Sequence, residues 1–146
     1  MQHTKTFIKI IMTQENKELL LKDLCARLPY GVKVRCDFGL DGEITEISRT
    51  KNNLYYCKYL DCKEGYCYIE SLKPYLFPLS SMTEEQKREY DKIIYHSIEL
   101  HHREYSDIVE IDLFDDLQDF YCKNHLDYRG LIPQELAIDA TGLNIY

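Results

Sequence analysis

Cys57, Cys62 and Cys67 recur with four intervening residues each time. Soft thiolates at a regular spacing invite a zinc reading, but a structural zinc site wants four well-spaced ligands, typically with Cys-x-x-Cys pairs. The chain has no such pair. Its cysteines (25, 36, 57, 62, 67 and 122) are expected to be reduced, metal-free and mostly buried as small hydrophobes. His96, His101 and His102 gather near the end of an expected helix, where the last carbonyls favour them, without a good third ligand. Asp107, Glu110, Asp112, Asp115, Asp116 and Asp119 lack the glycine bend of a calcium loop. A solvated face is their simplest reading, and a site for a basic partner is the functional alternative. None of the six glycines sits in a phosphate-cradling loop. No spacing pairs a nucleophile with a base, which leaves only a spatial pair such as Cys122 with His125. The expectation is a non-enzymatic protein with no cofactor and no metal.

Aromatic side chains offer the other chemistry. Residues 54–60 and 66–72 read as a hairpin around a loop at 61–65. A five-residue loop sets Leu60 against Tyr66, Lys58 against Tyr68 and Tyr59 against Cys67, leaving Cys57 and Cys67 diagonal. Side chains alternate along a strand, so Tyr55, Cys57, Tyr59, Cys67 and Ile69 share the core side. Tyr56, Lys58, Leu60, Tyr66, Tyr68 and Glu70 share the other. Tyr56, Lys58, Tyr66 and Tyr68 are the candidate interaction face, large enough to need either a partner or a second layer of the chain. Cover by the C-terminal lobe is expected, because Tyr90, Ile94 and Phe120 need somewhere to pack.

The elements that must position this face are short strands. Residues 32–38 alternate apolar and charged, and a glycine-containing turn follows at 39–42. Ile44 and Ile47 lie three apart in the next strand, which predicts a bulge that bends the strand toward barrel closure. Pro74 and Pro78 are expected to end the sheet, because proline cannot donate to a ladder. Residues 32–79 therefore read as a small SH3-like β-barrel within an α+β fold. Before it, Thr13 caps a helix over 14–28 whose apolar stripe is Leu20, Leu21, Leu24, Cys25 and Leu28, stopped by Pro29 and Gly31. After it, Ser81 through Glu84 matches a capping box for a helix running toward His102. A short strand is expected within 106–112, a helix over 113–123, and an apolar, extended tail to 146 laid against the lobe, with an added strand as an option. The organisation is a flexible extension at 1–12 with Met12 as an alternative start, a helix at 13–31, the barrel at 32–79, and an acidic helical lobe at 80–146 packed on the barrel as one unit.

Charge is uneven. Residues 13–79 hold ten Lys/Arg and ten Asp/Glu, whereas 80–146 hold six and fifteen. An acidic lobe does not attract a phosphate backbone, while the neutral barrel leaves nucleic acid open. No apolar run approaches the roughly 20 residues that cross a bilayer, and residues 7–12 are too short for a signal segment. A cytoplasmic protein without membrane contact is expected.

LPYGVKVRCD at 28–37, KPYLFPLSSMTEEQ at 73–86 and KNHLDYRGLIPQELAIDATGLNIY at 123–146 together resemble a family of small uncharacterised proteins encoded by gut anaerobic bacteria and their mobile elements. The resemblance covers most of 13–146 and is weakest over 87–112. It implies an intracellular protein of prophage or plasmid background and carries over no catalytic or binding residues. The leading expectation is a protein-interaction or accessory module that holds another protein. The alternatives are a barrel that stacks nucleic-acid bases on Tyr56, Tyr66 and Tyr68 beside Lys58, or an acidic DNA mimic that inhibits a host DNA-binding enzyme.

Overall fold

Thr13 starts helix α1 (Gln14–Arg27): its hydroxyl accepts from the Asn16 N–H at 3.2 Å, satisfying one of the orphan donors of the first turn. The computed structural model describes residues 12–36, 39–51, 55–60, 64–101 and 106–146; of the expected flexible extension over 1–12, residues 1–11 lie outside them, whereas Met12 packs half-buried against the core. α1 runs into a 3-10 turn at Leu28–Tyr30, and Gly31 reverses the chain at φ 75°. A Cβ there would lie 2.7 Å from a Glu43 carboxylate oxygen, and glycine takes this left-handed conformation without penalty. Leu20 and Leu24 are buried as the stripe predicts. Two members of that face were not foreseen, because Asp23 and Arg27 are buried beside them. Cys25, placed in the stripe from sequence, is exposed.

Five strands follow: β1 (Lys33–Cys36), β2 (Asp41–Arg49), β3 (Tyr55–Leu60), β4 (Glu64–Tyr68) and β5 (Leu72–Leu76). With β6 (Ile138–Asp139) they form one mixed sheet in the order β4-β3-β2-β1-β5-β6. Strands β1 to β4 are an antiparallel meander, β5 returns antiparallel beside β1, and β6 runs parallel to β5. The fold is α+β, but the sheet is open: β4 and β6 are its edges, and a closed barrel is not formed. The reason lies in the 3-10 turn Ile69–Ser71, which carries the chain from β4 to the far side of β1 and leaves β4 unladdered to β5.

The predicted bulge is present. The β2–β3 register shifts between Ile44 and Glu46, and the intervening Thr45 donates its hydroxyl to the Lys58 carbonyl at 3.3 Å. The extra residue brings buried Ile44 and half-buried Ile47 to the same side despite their odd spacing. In β1, Val34 and Cys36 face the core while Lys33 and Arg35 do not, as alternation requires.

Pro74 does not end the sheet. It lies within β5 opposite Val34, at a position that β6 does not reach, since β6 pairs only with Tyr75 and Leu76. β5 is an edge strand there, where proline is tolerated. The β3–β4 loop also differs from expectation: pairing of Leu60 with Glu64 shortens it to residues 61–63, so Lys58 faces Tyr66 and Cys57 directly opposes Cys67. The slip is two residues, so the register keeps the paired positions on their expected faces. Glu70, expected on the outer face, instead lies in the 3-10 turn that ends the strand at Tyr68, with its carboxylate 3.4 Å from the Lys17 ammonium of α1.

In the C-terminal half, α2 (Glu84–His101) and α3 (Ser106–Lys123) form a helical pair. The capping box is Thr83 with Gln86 rather than Ser81 with Glu84: each side chain bonds the other's backbone N–H, at 3.1 and 2.9 Å. Residues 106–112 are helical, not a strand; the five-residue alternation from Val109 to Leu113 is too short to outweigh a continuous helical ladder. Tyr90 packs on Phe120 at 6.0 Å and on Tyr121 at 6.4 Å between ring centroids. The tail turns back under α1, where Leu131, Leu136 and Ala137 join Leu20, Leu24, Val32, Val34, Ile44 and Leu72 in one core. The start of the tail packs on the helical pair, where Tyr128 stacks on Tyr121 of α3 at 4.9 Å, and its β6 adds a strand at the sheet edge beside β5. Among the described residues, no helix is long and apolar enough to cross a membrane.

Candidate functional site

The β3–β4 hairpin separates its residues by pleat. Cys57 points inward and is fully buried, while Tyr66 and Tyr68 on the opposite face are 62% and 50% exposed. Cross-strand pairing sets Lys58 beside Tyr66 and Tyr56 beside Tyr68, so the four residues expected on one face do share it by register; the side chain of Tyr56 lies outside the described ones. Among the described residues, the C-terminal lobe does not supply the expected cover. Tyr90 and Phe120 satisfy each other within the helical pair, and neither shields the tyrosines of β4. Two tyrosines standing this far out on an edge strand offer on the order of 150 Å² each to a partner.

The acidic candidate divides. Asp115, Asp116 and Asp119 are exposed on α3. Asp119 also holds the fold together, because it accepts from the Tyr30 hydroxyl at 2.8 Å and ties α3 to the 3-10 turn after α1. That bond, followed by burial, raises the Tyr30 pKa. Asp107, Glu110 and Asp112 belong to the same helix, with side chains outside the described ones. Nearby bases already have acids, with Lys123 on Glu89 at 2.9 Å and Lys87 on Glu84 at 3.0 Å.

Sequence reading missed a buried polar centre. Arg27 donates to both carboxylate oxygens of Asp23, at 2.7 and 3.1 Å, and to the Leu126 carbonyl at 2.7 Å. Both charged side chains are fully buried. Arg129 approaches Asp23 at 3.3 Å, and the two guanidinium groups lie 5.4 and 4.8 Å from the Tyr128 ring centroid. The available signal was Asp23 and Arg27 at i and i+4 on the apolar stripe of α1, a spacing that lets them pair.

Cys122 and His125 border this centre. Burial raises the Cys122 thiol, and the residue is 0% exposed, the reverse of the accessible, low-pKa environment that a cysteine nucleophile needs. Burial, with the positive charges of Arg27 and Lys33, lowers His125 to about 4. Its ring stacks on Tyr146 with centroids 3.6 Å apart. The arrangement anchors the tail; it does not activate a nucleophile.

A shallow groove of about 520 Å³ lies among Lys33, Asp41, Glu43, Tyr75 and Asn144. Lys33, Asp41 and Tyr75 are engaged there: the Tyr75 hydroxyl donates to Asp41 at 2.6 Å, Arg35 meets the same oxygen at 3.2 Å, and the Lys33 ammonium reaches the Ile145 carbonyl. Among the described residues, no group of three or more His, Cys, Asp or Glu side chains is placed to hold a metal; Cys62 and His102 lie outside that set. Comparison with protein-family models, with curated proteins and with solved structures finds no match.

Proposed function

We propose that this chain is a non-enzymatic interaction or accessory module that holds another protein on the outer face of β3 and β4, through Tyr56, Lys58, Tyr66 and Tyr68. The observation that carries the reading is the exposure of Tyr66 and Tyr68, 62% and 50%, on one face beside Lys58. Tyrosine supplies large contact area at low entropic cost and is enriched where proteins meet. A meander whose fifth strand returns beside the first also suits an SH3-like, half-open barrel, a scaffold that serves binding more than one chemistry.

The second reading is single-stranded nucleic acid stacked on the same tyrosines, favoured by the cation of Lys58 among them. The test immobilises the wild-type chain and a Tyr66→Ala/Tyr68→Ala double variant and passes native lysate over both, with and without nuclease. A protein retained after nuclease by the wild type and lost by an equally stable double variant is the expected result. Equal retention by both removes this face from the proposal. Retention that vanishes with nuclease replaces the protein partner with nucleic acid.

A further inference from the structure

Strands three places apart in a flat sheet are separated by roughly 14 Å, at about 4.8 Å per step. β1 and β4 are three places apart, yet the Sγ atoms of Cys36 on β1 and Cys67 on β4 are 3.9 Å apart. The meander is therefore curled enough for inward side chains from its two ends to touch, a bend to which the bulge at Ile44 and Glu46 contributes. Strand pairing does not join β1 to β4; the two meet through side chains.

We propose that Cys36 and Cys67 are a peroxide-sensitive dithiol whose oxidation ties β1 to β4, closing covalently the sheet that the strand ladder leaves open. Their sulfurs are already in van der Waals contact, and a bond at about 2.05 Å requires only a short further approach. Access assigns the order of events. Cys67 is partly exposed and Cys36 is 4% exposed, so Cys67 meets the oxidant and Cys36 resolves it.

In the first step the Cys67 thiolate attacks one oxygen of hydrogen peroxide. An S–O bond forms, the O–O bond breaks, and the departing hydroxide takes a proton to become water. In the second step the Cys36 sulfur attacks the Cys67 sulfenic acid. The S–S bond forms, the S–O bond breaks, and the oxygen leaves as a second water with the Cys36 proton. Two thiols give up two electrons in all, and one peroxide accepts them.

Cys57 is the competitor, since it directly opposes Cys67 across β3 and β4. It is 0% exposed, and burial pushes its thiol up to about 12, which withholds the thiolate that exchange requires. The bond would hold β4, and with it Tyr66 and Tyr68, whether or not that face takes a partner.

The test treats the reduced full chain with excess hydrogen peroxide, alkylates the remaining thiols under denaturing conditions, and maps disulfide-linked peptides by mass spectrometry. A Cys36–Cys67 peptide should dominate, with two of the six thiols lost and both restored by dithiothreitol. Cys36→Ser under the same treatment should leave Cys67 as a sulfenic acid captured by dimedone. A dominant Cys57–Cys67 or intermolecular bond overturns the proposal. So does continued alkylation of both Cys36 and Cys67 at peroxide levels that oxidise free glutathione.

Discussion

At the β5–β6 end of the sheet Tyr75 is 0% exposed and Tyr146 stacks on His125, whereas at the β4 end Tyr66 and Tyr68 stand 62% and 50% exposed. Charge follows the same rule. Arg27 and Asp23 are fully buried near the first end, while Lys58 lies beside Tyr66 on the outer hairpin. The difference comes from layers. α1 packs on the inner face of the sheet, and the tail joins it there and crosses to β5. The tail and α3 also meet α1 at its C-terminal end, through Leu126 on Arg27 and Asp119 on Tyr30. Among the described residues, the outer face of β3–β4 carries Tyr66 and Tyr68 without such a layer. Burial of a charged pair is tolerable only where partners are supplied from several elements at once, and the first end supplies them. Aromatic exposure of this size persists where the described elements add no further layer.

The largest effect should come from Arg27→Ala, which leaves the Asp23 carboxylate buried with only Arg129 near it. Loss of one partner of a buried pair costs about 3–5 kcal/mol, and denaturant midpoints should show it. A loss below about 1 kcal/mol would mean that the packed end does not depend on its polar centre.

Acid should separate the two ends next. His125 is held neutral to about 4, against an ordinary value of 6.5. An unfolded chain therefore binds a proton that the folded chain refuses, and stability that is complete above about pH 6.5 declines as pH falls toward 4. Allowing for the partial exposure of the ring, the decline should be roughly 2 kcal/mol. His125→Asn, which suits the positive φ of 55° at this position, should remove that component of the slope. Identical pH profiles for the variant and wild type would refute the assignment.

The smallest effect belongs to the outer hairpin. Tyr66→Ala and Tyr68→Ala should each change stability by less than about 0.5 kcal/mol, as exposed substitutions do. A loss of about 2–4 kcal/mol from either would show that the β4 end is as tightly covered as the other.

Much of the strand framework was legible because it is local. The alternation of Val32, Val34 and Cys36 with Lys33 and Arg35, the odd spacing of Ile44 and Ile47, and the Thr13 cap each state a rule that neighbouring residues alone enforce. The faces of the hairpin were legible for the same reason, since parity survives a two-residue slip. Its register was not. Whether the loop begins at residue 61 and ends at 63 or 65 depends on the pairing energy of Leu60 with Glu64, which no composition signal reports.

The sequence by itself determined which side each strand residue takes, where the first helix begins, and that the apolar tail must pack, because periodicity and capping act over a few residues. Only the tertiary structure decided that Asp23 and Arg27 lie inside, that the sheet stays open, that Cys36 meets Cys67, and that Tyr66 and Tyr68 are left in solvent. Each of those outcomes depends on contacts between residues far apart in the chain. The free energy of such contacts is set by what arrives from elsewhere: the Leu126 carbonyl on Arg27, the curl that folds β4 toward β1, and the helical pair that packs Tyr90 against Phe120 instead of over the hairpin.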